Sequence, residues 1–322
     1  MSEKCLIIGL GQIGMGYDID LNPSQYVLSH ARSFFLHPDF ELIGGVDLDA
    51  SKCSIFEDLY KSPAYTSLDQ ALRELSPSII VISTPSGSHF SILENVLKFH
   101  EPLAFVCEKP LDNSLEKASR IVEICEEKNI QLYVNYMRRS EKSVIHIKDM
   151  IDKDIIEEPI KCVAWYSKGL RNNGSHLINL LEYWMGDLKS HKIINKNRCW
   201  DKTDPEPDFE STFEKGSAIF LSGWEEYFPH LSIEILSPSG RLSYYNGGNE
   251  IKWNCSNATL EMPRNEFLEK EGIEIENDFN RYQLNFANNL SLALKGKECN
   301  ISNGIDALES LKNVYKIMEE IA

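Results

Sequence analysis

The sequence predicts an α/β protein with a doubly wound parallel sheet in its first part and a second domain richer in antiparallel strands. Three observations carry this prediction. Short apolar runs alternate with amphipathic stretches through residue 135. A glycine-rich loop follows the first apolar run directly. Beyond about residue 139, strand-like segments are separated by turn chemistry such as Pro238-Ser239-Gly240 and Asn246-Gly247-Gly248.

In order along the chain, strands are expected at 5–9, 41–47, 79–84, 104–108 and 131–135, and helices at 24–36, 51–60, 69–75, 89–99 and 114–128. In the last of these helices, Leu115, Ala118, Ile121, Val122 and Cys125 share one face. Strands alternating with helices build βαβ units, whose parallel sheet is covered on both sides. In the second part a helix at 141–151 precedes strands at 161–166, 191–195, 217–222, 232–236, 241–245 and 250–254, read as antiparallel hairpins. The acidic stretch 266–278 reads as a solvated loop, and helices at 278–294 and 304–321 close the chain.

The 322 residues carry 33 Lys+Arg against 49 Asp+Glu, a net charge of −16. At about 150 residues per domain this length suggests two domains. A hydrophobic fraction of 42% with 25% charged residues is that of a folded chain. The acidic balance argues against nucleic acid as partner, since phosphate binding needs a basic face. No apolar run approaches the roughly 18 residues of a membrane helix, and glycines follow the N-terminus too closely for a signal peptide. The eight cysteines are scattered without a C-x-x-C pair, as expected of a reduced, cytoplasmic protein without a structural metal site.

The run Cys5-Leu6-Ile7-Ile8-Gly9-Leu10-Gly11-Gln12-Ile13-Gly14 is a buried strand passing straight into G-x-G-x-x-G, the dinucleotide-binding pattern. Gly9 permits the tight turn, Gly11 lets backbone approach a pyrophosphate, and Gly14 permits close packing of helix on strand. Asp47 ends the second strand, where its carboxylate can accept from both hydroxyls of an adenosine ribose and repel a 2′-phosphate, which favours NAD over NADP. Asp47 lies 33 residues beyond Gly14, against the usual spacing of about 20. The excess is read as an inserted loop at 15–25, ahead of a helix starting near residue 24.

Further motifs follow in order: Ser83-Thr84-Pro85 with His89, Glu108-Lys109-Pro110, Asn135-Tyr136-Met137-Arg138-Arg139, Gly174-Ser175-His176-Leu177-Ile178-Asn179 and Trp184-Met185-Gly186. With the glycine loop, they make the chain resemble the glucose–fructose oxidoreductase / inositol dehydrogenase / rhizopine catabolism (Gfo/Idh/MocA) family over nearly its whole length. The resemblance implies an NAD-binding Rossmann domain over 1–138. It implies a substrate-binding and oligomerisation domain over 139–322, with a large, mostly antiparallel open sheet and a last helix packing back on the body. A homodimer or homotetramer through that sheet is implied too, as are substrates among sugars, sugar derivatives, nucleotide sugars and inositols. Cofactor contacts fall by the same resemblance at Gly9, Gly11, Gln12, Ile13, Gly14, Asp47, Thr84, Pro85, His89, Glu108 and Lys109. Substrate contacts fall at Lys109, Asn135, Arg138, Lys168, Asn172 and His176.

Oxidising a secondary alcohol needs a hydride acceptor and a base for the hydroxyl proton. Lys109 matches the family's motif lysine and can move that proton if burial and the oxidised nicotinamide lower its pKa. His176 matches the histidine that contacts the reacting hydroxyl. The chain departs from the family at Asn172 and Asn179, where Asp is usual. An amide cannot stabilise an imidazolium by charge, so Lys109 is assigned the proton transfer and His176 the positioning of the hydroxyl. Arg138, Arg139, Lys168 and Arg171 form either a cationic patch for an anionic sugar or ordinary salt bridges. The leading reading is a sugar oxidoreductase, and the motif around His176 also looks like members associated with surface-glycan sugar biosynthesis. A non-catalytic NAD-binding sensor and an epimerase or dehydratase with tightly held NAD are the competing readings.

Overall fold

The computed structural model describes residues 2–256, 268 and 271–321. The chain divides into two compact units, Met1–Ser140 with Asn280–Glu309, and Glu141–Phe279 with Ser310–Ala322. The first unit holds a six-stranded parallel sheet of β1 (Glu3–Ile8), β2 (Phe40–Val46), β3 (Ala64–Tyr65), β4 (Ile79–Ile82), β5 (Ala104–Cys107) and β6 (Gln131–Val134), in the order β3-β2-β1-β4-β5-β6. The four residues each of β4 and β5 are all buried, as are the last four of β1. Such continuous apolar runs are what a strand covered on both faces requires. The covering helices are α1 (His30–Leu36), α2 (Ala50–Tyr60), α3 (Leu68–Glu74), α4 (His89–Leu97) and α5 (Leu115–Glu127). On α5, Ala118, Ile121, Val122 and Cys125 are buried, as their spacing demands.

Helix α1 begins at His30, not near residue 24, because Ser29 is its N-cap, accepting from Arg32 N at 3.3 Å. Its first turn was laid down much earlier. Met15 N donates to Gly11 O at 2.9 Å, and then His30 N donates to Ile13 O at 3.0 Å and Ala31 N to Gly14 O at 2.9 Å. In an uninterrupted helix those two carbonyls would receive the amides four residues on, at positions 17 and 18. The helix is therefore cut after one turn, and residues 17–29 are spliced in before it resumes in register. Removing these 13 residues from the 33 between Gly14 and Asp47 leaves 20, the ordinary spacing. The insertion lies later than the expected 15–25 for this reason.

This excursion is fastened at its root. Asp18 is fully buried and accepts from Leu28 N (2.6 Å), Ser29 N (2.9 Å) and Ser29 Oγ (2.7 Å). Arg32 faces it at 3.6 Å and donates to Leu21 O at 2.9 Å. Val27 N donates to Asn280 O at 2.9 Å and Val27 O accepts from Gln283 N at 3.2 Å. The Tyr282 hydroxyl donates to Leu28 O at 2.9 Å.

In the second unit α6 (Lys142–Asp152) and α7 (Ser175–Met185) accompany an eight-stranded sheet. Its strands are β7 (Ile160–Tyr166), β8 (Leu188–Asn195), β11 (Asp208–Phe213), β12 (Gly216–Ser222), β13 (Leu231–Ser237), β14 (Gly240–Tyr245), β15 (Glu250–Cys255) and β16 (Ile273–Glu274), with a separate pair β9 (Cys199–Trp200) and β10 (Asp204–Pro205). The sheet order is β16-β15-β14-β13-β7-β12-β11-β8. Every pairing in it is antiparallel except β7 with β12, which run parallel and depart from the all-hairpin expectation. Burial alternates along β7, with Ile160, Cys162, Ala164 and Tyr166 facing a core that includes Trp184, Phe209, Phe220 and Tyr244. Strand β11 was not expected from the sequence. The acidic stretch 266–278 is not simply a loop: Ile273–Glu274 pairs with β15, and Ile275 N donates to Ile251 O at 3.0 Å. The remainder of that stretch before residue 271, apart from residue 268, lies outside the described residues.

The closing helices are α8 (Tyr282–Leu294) and α9 (Gly304–Glu319). Helix α8 starts four residues later than expected, behind the short turn Phe279–Arg281. The second domain is not the continuous 139–322 of the expectation. Phe286, Ala287, Leu290 and Ile301 belong to the core of the first unit's sheet, and Val134 N donates to Ser302 O at 2.9 Å. Along α9, residues to Glu309 group with the first unit, whereas Val314 and Ile317 belong to the second unit's core. Replacing Asp18 with Ala removes the counter-charge of buried Arg32 and the acceptor of the Leu28 and Ser29 amides and the Ser29 hydroxyl. We expect a loss of about 3–5 kcal/mol, measured as a lower denaturant midpoint with an unchanged slope.

Candidate functional site

The glycine loop fits a dinucleotide's pyrophosphate on steric grounds. Gly9 has φ +98°, and a Cβ there would lie 2.7 Å from Ser83 O. A Cβ on Gly14 would lie 2.0 Å from Gly9 O, so the loop closes on itself. A Cβ on Gly11 meets nothing within 4 Å. That open side is the approach a phosphate needs. Ser83 Oγ donates to Gly9 O at 2.8 Å and pins the turn to the end of β4. Gln12 is exposed and Ile13 half-buried beside it. At the end of β2, Asp47 Oδ2 accepts from Leu10 N at 2.8 Å, Oδ1 accepts from Asp49 N at 3.0 Å, and Lys52 Nζ stands 3.4 Å away. The carboxylate is thus fixed to the loop, and the Lys52 ammonium donates to both its oxygens, at 3.5 Å to Oδ1 and 3.4 Å to Oδ2.

After β4, Thr84 Oγ1 meets Ser88 Oγ at 2.8 Å, and Pro85 O accepts from Ser88 N at 2.9 Å. His89 is fully buried, with Nε2 2.8 Å from Thr84 O and Nδ1 3.1 Å from Leu111 O. Both ring nitrogens are engaged, so His89 ties two loops together and does not itself face a ligand.

At the end of β5, Glu108 has a side chain only 13% exposed. Its Oε1 lies 2.7 Å from His30 Nε2 and accepts from Asn135 Nδ2 at 2.6 Å. Burial pushes this carboxyl up, but the hydrogen bonds from His30 and Asn135 and the charge of Lys109 outweigh it and hold the group below the usual glutamate range. Lys109 follows it directly. Asn135, 2% exposed, holds Glu108. Arg138 is buried, and Arg139 pairs with Asp306 at 3.1 Å.

In the second unit, His176 lies in the first turn of α7, 7% exposed. A widened π-type turn, Gly169–Gly174, leads into this helix. Such turns are frequent at functional sites. Two acids hold it. Asp204 accepts from Arg171 N (2.7 Å) and Asn172 N (2.9 Å). Glu206, fully buried, accepts from Gly169 N at 3.0 Å and pairs with Arg198 at 2.8 Å. Burial pushes the Asp204 carboxyl up against the lowering effect of its two backbone donors and Arg171. Gly169 has φ +88° and a Cβ there would lie 2.1 Å from Asp204 Oδ2, so only glycine passes this point. Asn179 donates to Ser310 Oγ at 3.0 Å, and Ser310 in turn bonds Glu182. An Asp at 179 would bring a second carboxylate to the same hydroxyl; the amide avoids that repulsion. Lys168 faces Glu225 at 3.9 Å, so Lys168 and Arg139 follow the salt-bridge alternative.

His30, Asp18, Asp204 and Glu206 were missed in the sequence because none belongs to a quoted motif. The signal for the last two was an acidic pair set between prolines, Asp204-Pro205-Glu206-Pro207. The glycines supply a clean contrast. Gly14→Ala should lower thermal stability and abolish NADH binding together. Gly11→Ala should leave the melting midpoint nearly unchanged while weakening NADH binding at least tenfold, read by fluorescence titration.

Residues 4–136 match the model of an oxidoreductase family described as GFO_IDH_MocA, NAD-binding Rossmann fold. D-xylose 1-dehydrogenase [NADP(+)] of Haloarcula marismortui is 35% identical over 81 residues, 25% of this chain and 22% of that protein. Inositol 2-dehydrogenase of Rubrobacter xylanophilus is 24% identical over 139 residues, 42% of this chain and 40% of that protein. The matches thus span less than half the length of these relatives. Among solved structures, the WlbA dehydrogenase from Bordetella pertussis in complex with NADH and UDP-GlcNAcA gives a TM-score of 0.73 at 17% identity, covering 100% of this chain and 96% of that one. A putative myo-inositol dehydrogenase from Sinorhizobium meliloti gives 0.74 at 16% identity, covering 99% and 97%. These likenesses extend the same fold across the chain. Among the described residues no helix is long and apolar enough to cross a membrane, and no cluster of metal-binding side chains occurs. The family match, to Gfo/Idh/MocA oxidoreductases with an NAD-binding Rossmann fold, is confined to residues 4–136, less than half of the chain.

Proposed function

We propose that the protein is an NAD-dependent oxidoreductase acting at a secondary hydroxyl carbon of a sugar, sugar derivative or nucleotide sugar. The observation that carries this reading is Lys109 at the carboxyl end of β5, beside a carboxylate held by His30 and Asn135. Ligands of open α/β sheets bind at these strand ends. Bound NAD supplies the hydride acceptor. As the carbinol carbon gives up its hydride, the neutral Lys109 amine takes the hydroxyl proton and becomes an ammonium, leaving a carbonyl; reduction returns both. His176 orients the hydroxyl, since neither Asn172 nor Asn179 brings it a charge partner. Asp47 selects NAD by accepting from ribose hydroxyls and repelling a 2′-phosphate. The xylose, inositol and nucleotide-sugar names among the similar proteins support the substrate class.

We expect Lys109→Met to lower turnover with the responsive sugar by about 10²–10⁴-fold while NADH binding is kept. Retained turnover overturns the assignment. A wild-type protein that binds NADH but turns over no inositol, free sugar or nucleotide sugar favours the sensor or tightly-held-cofactor reading. All eight cysteines are free thiols, which suits a cytoplasmic setting. Trp165, Ile219 and Leu236 are 40%, 39% and 49% exposed on three neighbouring strands of the second unit's sheet. That apolar face supports a homodimer or homotetramer. Trp165→Glu combined with Ile219→Glu should then reduce the sedimenting species to a monomer.

A further inference from the structure

His30 reaches both the phosphate loop and the acid beside Lys109. It is fully buried. Its main-chain N–H donates to Ile13 O at 3.0 Å, and its Nε2 lies 2.7 Å from Glu108 Oε1. The ring is held by Phe34, stacked at 6.3 Å, and by Phe286, edge-on at 6.2 Å. The excursion at 17–29 could have carried this residue anywhere. Instead the helix resumes in register, so His30 takes the place that residue 17 of an uninterrupted helix would hold.

We propose that His30 is a positioning residue whose Nε2–H holds the Glu108 carboxylate beside Lys109 and so tunes the lysine's proton affinity. The inference rests on the reading of Lys109 as the proton carrier. A carboxylate with little access to water needs donors to stay ionised. Among the described residues Glu108 has two, His30 on α1 and Asn135 directly after β6. Other ionisable groups nearby include Cys107, with Cys125 and Asp112 close to it, and Tyr282, with Tyr17, Asp18 and Arg138 close to it. Burial pushes the Cys107 thiol and the Tyr282 hydroxyl up, so both stay neutral. Glu108 and Lys109 act on each other as opposite charges. Without the imidazole donor, Glu108 gains proton affinity, loses its charge, and stops favouring the lysine's ammonium form.

The test needs no turnover. Lys109 in the full-length protein is labelled with trace fluorodinitrobenzene from neutral to alkaline pH and quantified by mass spectrometry, for wild type, His30→Phe, His30→Gln and Glu108→Gln. We expect the labelling midpoint of Lys109 to fall by about one pH unit in His30→Phe and in Glu108→Gln. The double variant should fall no further than either single one, and His30→Gln, which keeps an N–H donor, should stay near wild type. The acid limb of kcat/KM for sugar oxidation should move down in pH by the same amount. An unmoved midpoint in Glu108→Gln overturns the proposal even if His30→Phe fails to fold. So does a His30→Phe protein that melts earlier but titrates Lys109 as wild type does. A shifted midpoint in a protein that turns over no sugar supports the role of His30 and overturns the dehydrogenase reading alone.

Discussion

A carboxylate taken out of water must be given donors, and in each unit of this chain that requirement decides where certain loops go. The sequence already carries a net charge of −16, so each further acid withdrawn from solvent adds repulsion as well as desolvation. Asp18, Glu108, Asp204 and Glu206 are withdrawn all the same, and each is answered by groups from a segment that would otherwise wander. Asp18 gathers the amides of Leu28 and Ser29, Asp204 those of Arg171 and Asn172, and Glu206 that of Gly169. Glu108 gathers a histidine and an asparagine. Leaving a buried charge without its partner costs about 3–5 kcal/mol, several times an ordinary net hydrogen bond of about 1 kcal/mol. These segments therefore have one arrangement that is clearly preferred.

The parallel sheet was legible because its strands are apolar on both faces, a property local to each run. The glycine loop was legible because its steric demands are local too: Gly9 and Gly14 admit no side chain, and Gly11 faces open space. The start of α1 was not. Ser24 and Ser29 are equally good caps by composition, and what selects Ser29 is the buried Asp18, eleven residues earlier, accepting from both its amide and its hydroxyl. A capping rule read along the sequence has no access to that choice. The spacing of Asp47 did record the insertion, and its size follows once the hydrogen bonds at the two cut ends are known.

In the second unit the hairpins β13–β14 and β14–β15 followed from turn residues, which act over short range. The parallel pairing of β7 with β12 joins segments some fifty residues apart and leaves no mark on either strand. Strand β11 did carry the alternation Phe209, Ser211, Phe213, all buried. Its acidic and proline-flanked setting hid that pattern, and the acids in that setting proved to be the fasteners of the turn before His176. The return of residues 280–309 to the first unit was hidden for another reason. Helix α8 is apolar in the ordinary amphipathic way, and nothing in its pattern says which sheet it covers.

The excursion shows how much freedom the first helix has, and where. A dinucleotide loop needs the strand end, the glycines and the first helical turn, all complete by residue 16. Beyond that point the helix serves as a spacer that carries His30 to Glu108. An insertion inside the first turn would take amides away from the phosphate. An insertion beyond His30 would leave the imidazole in place but shift Phe34 off the ring it stacks on. Between these limits lies a single junction, directly after residue 16, and the 13 extra residues enter there. They return in register because Ile13 O and Gly14 O, near the core, would otherwise lack donors. The same two hydrogen bonds that satisfy the cut helix therefore deliver His30 to the acid beside Lys109.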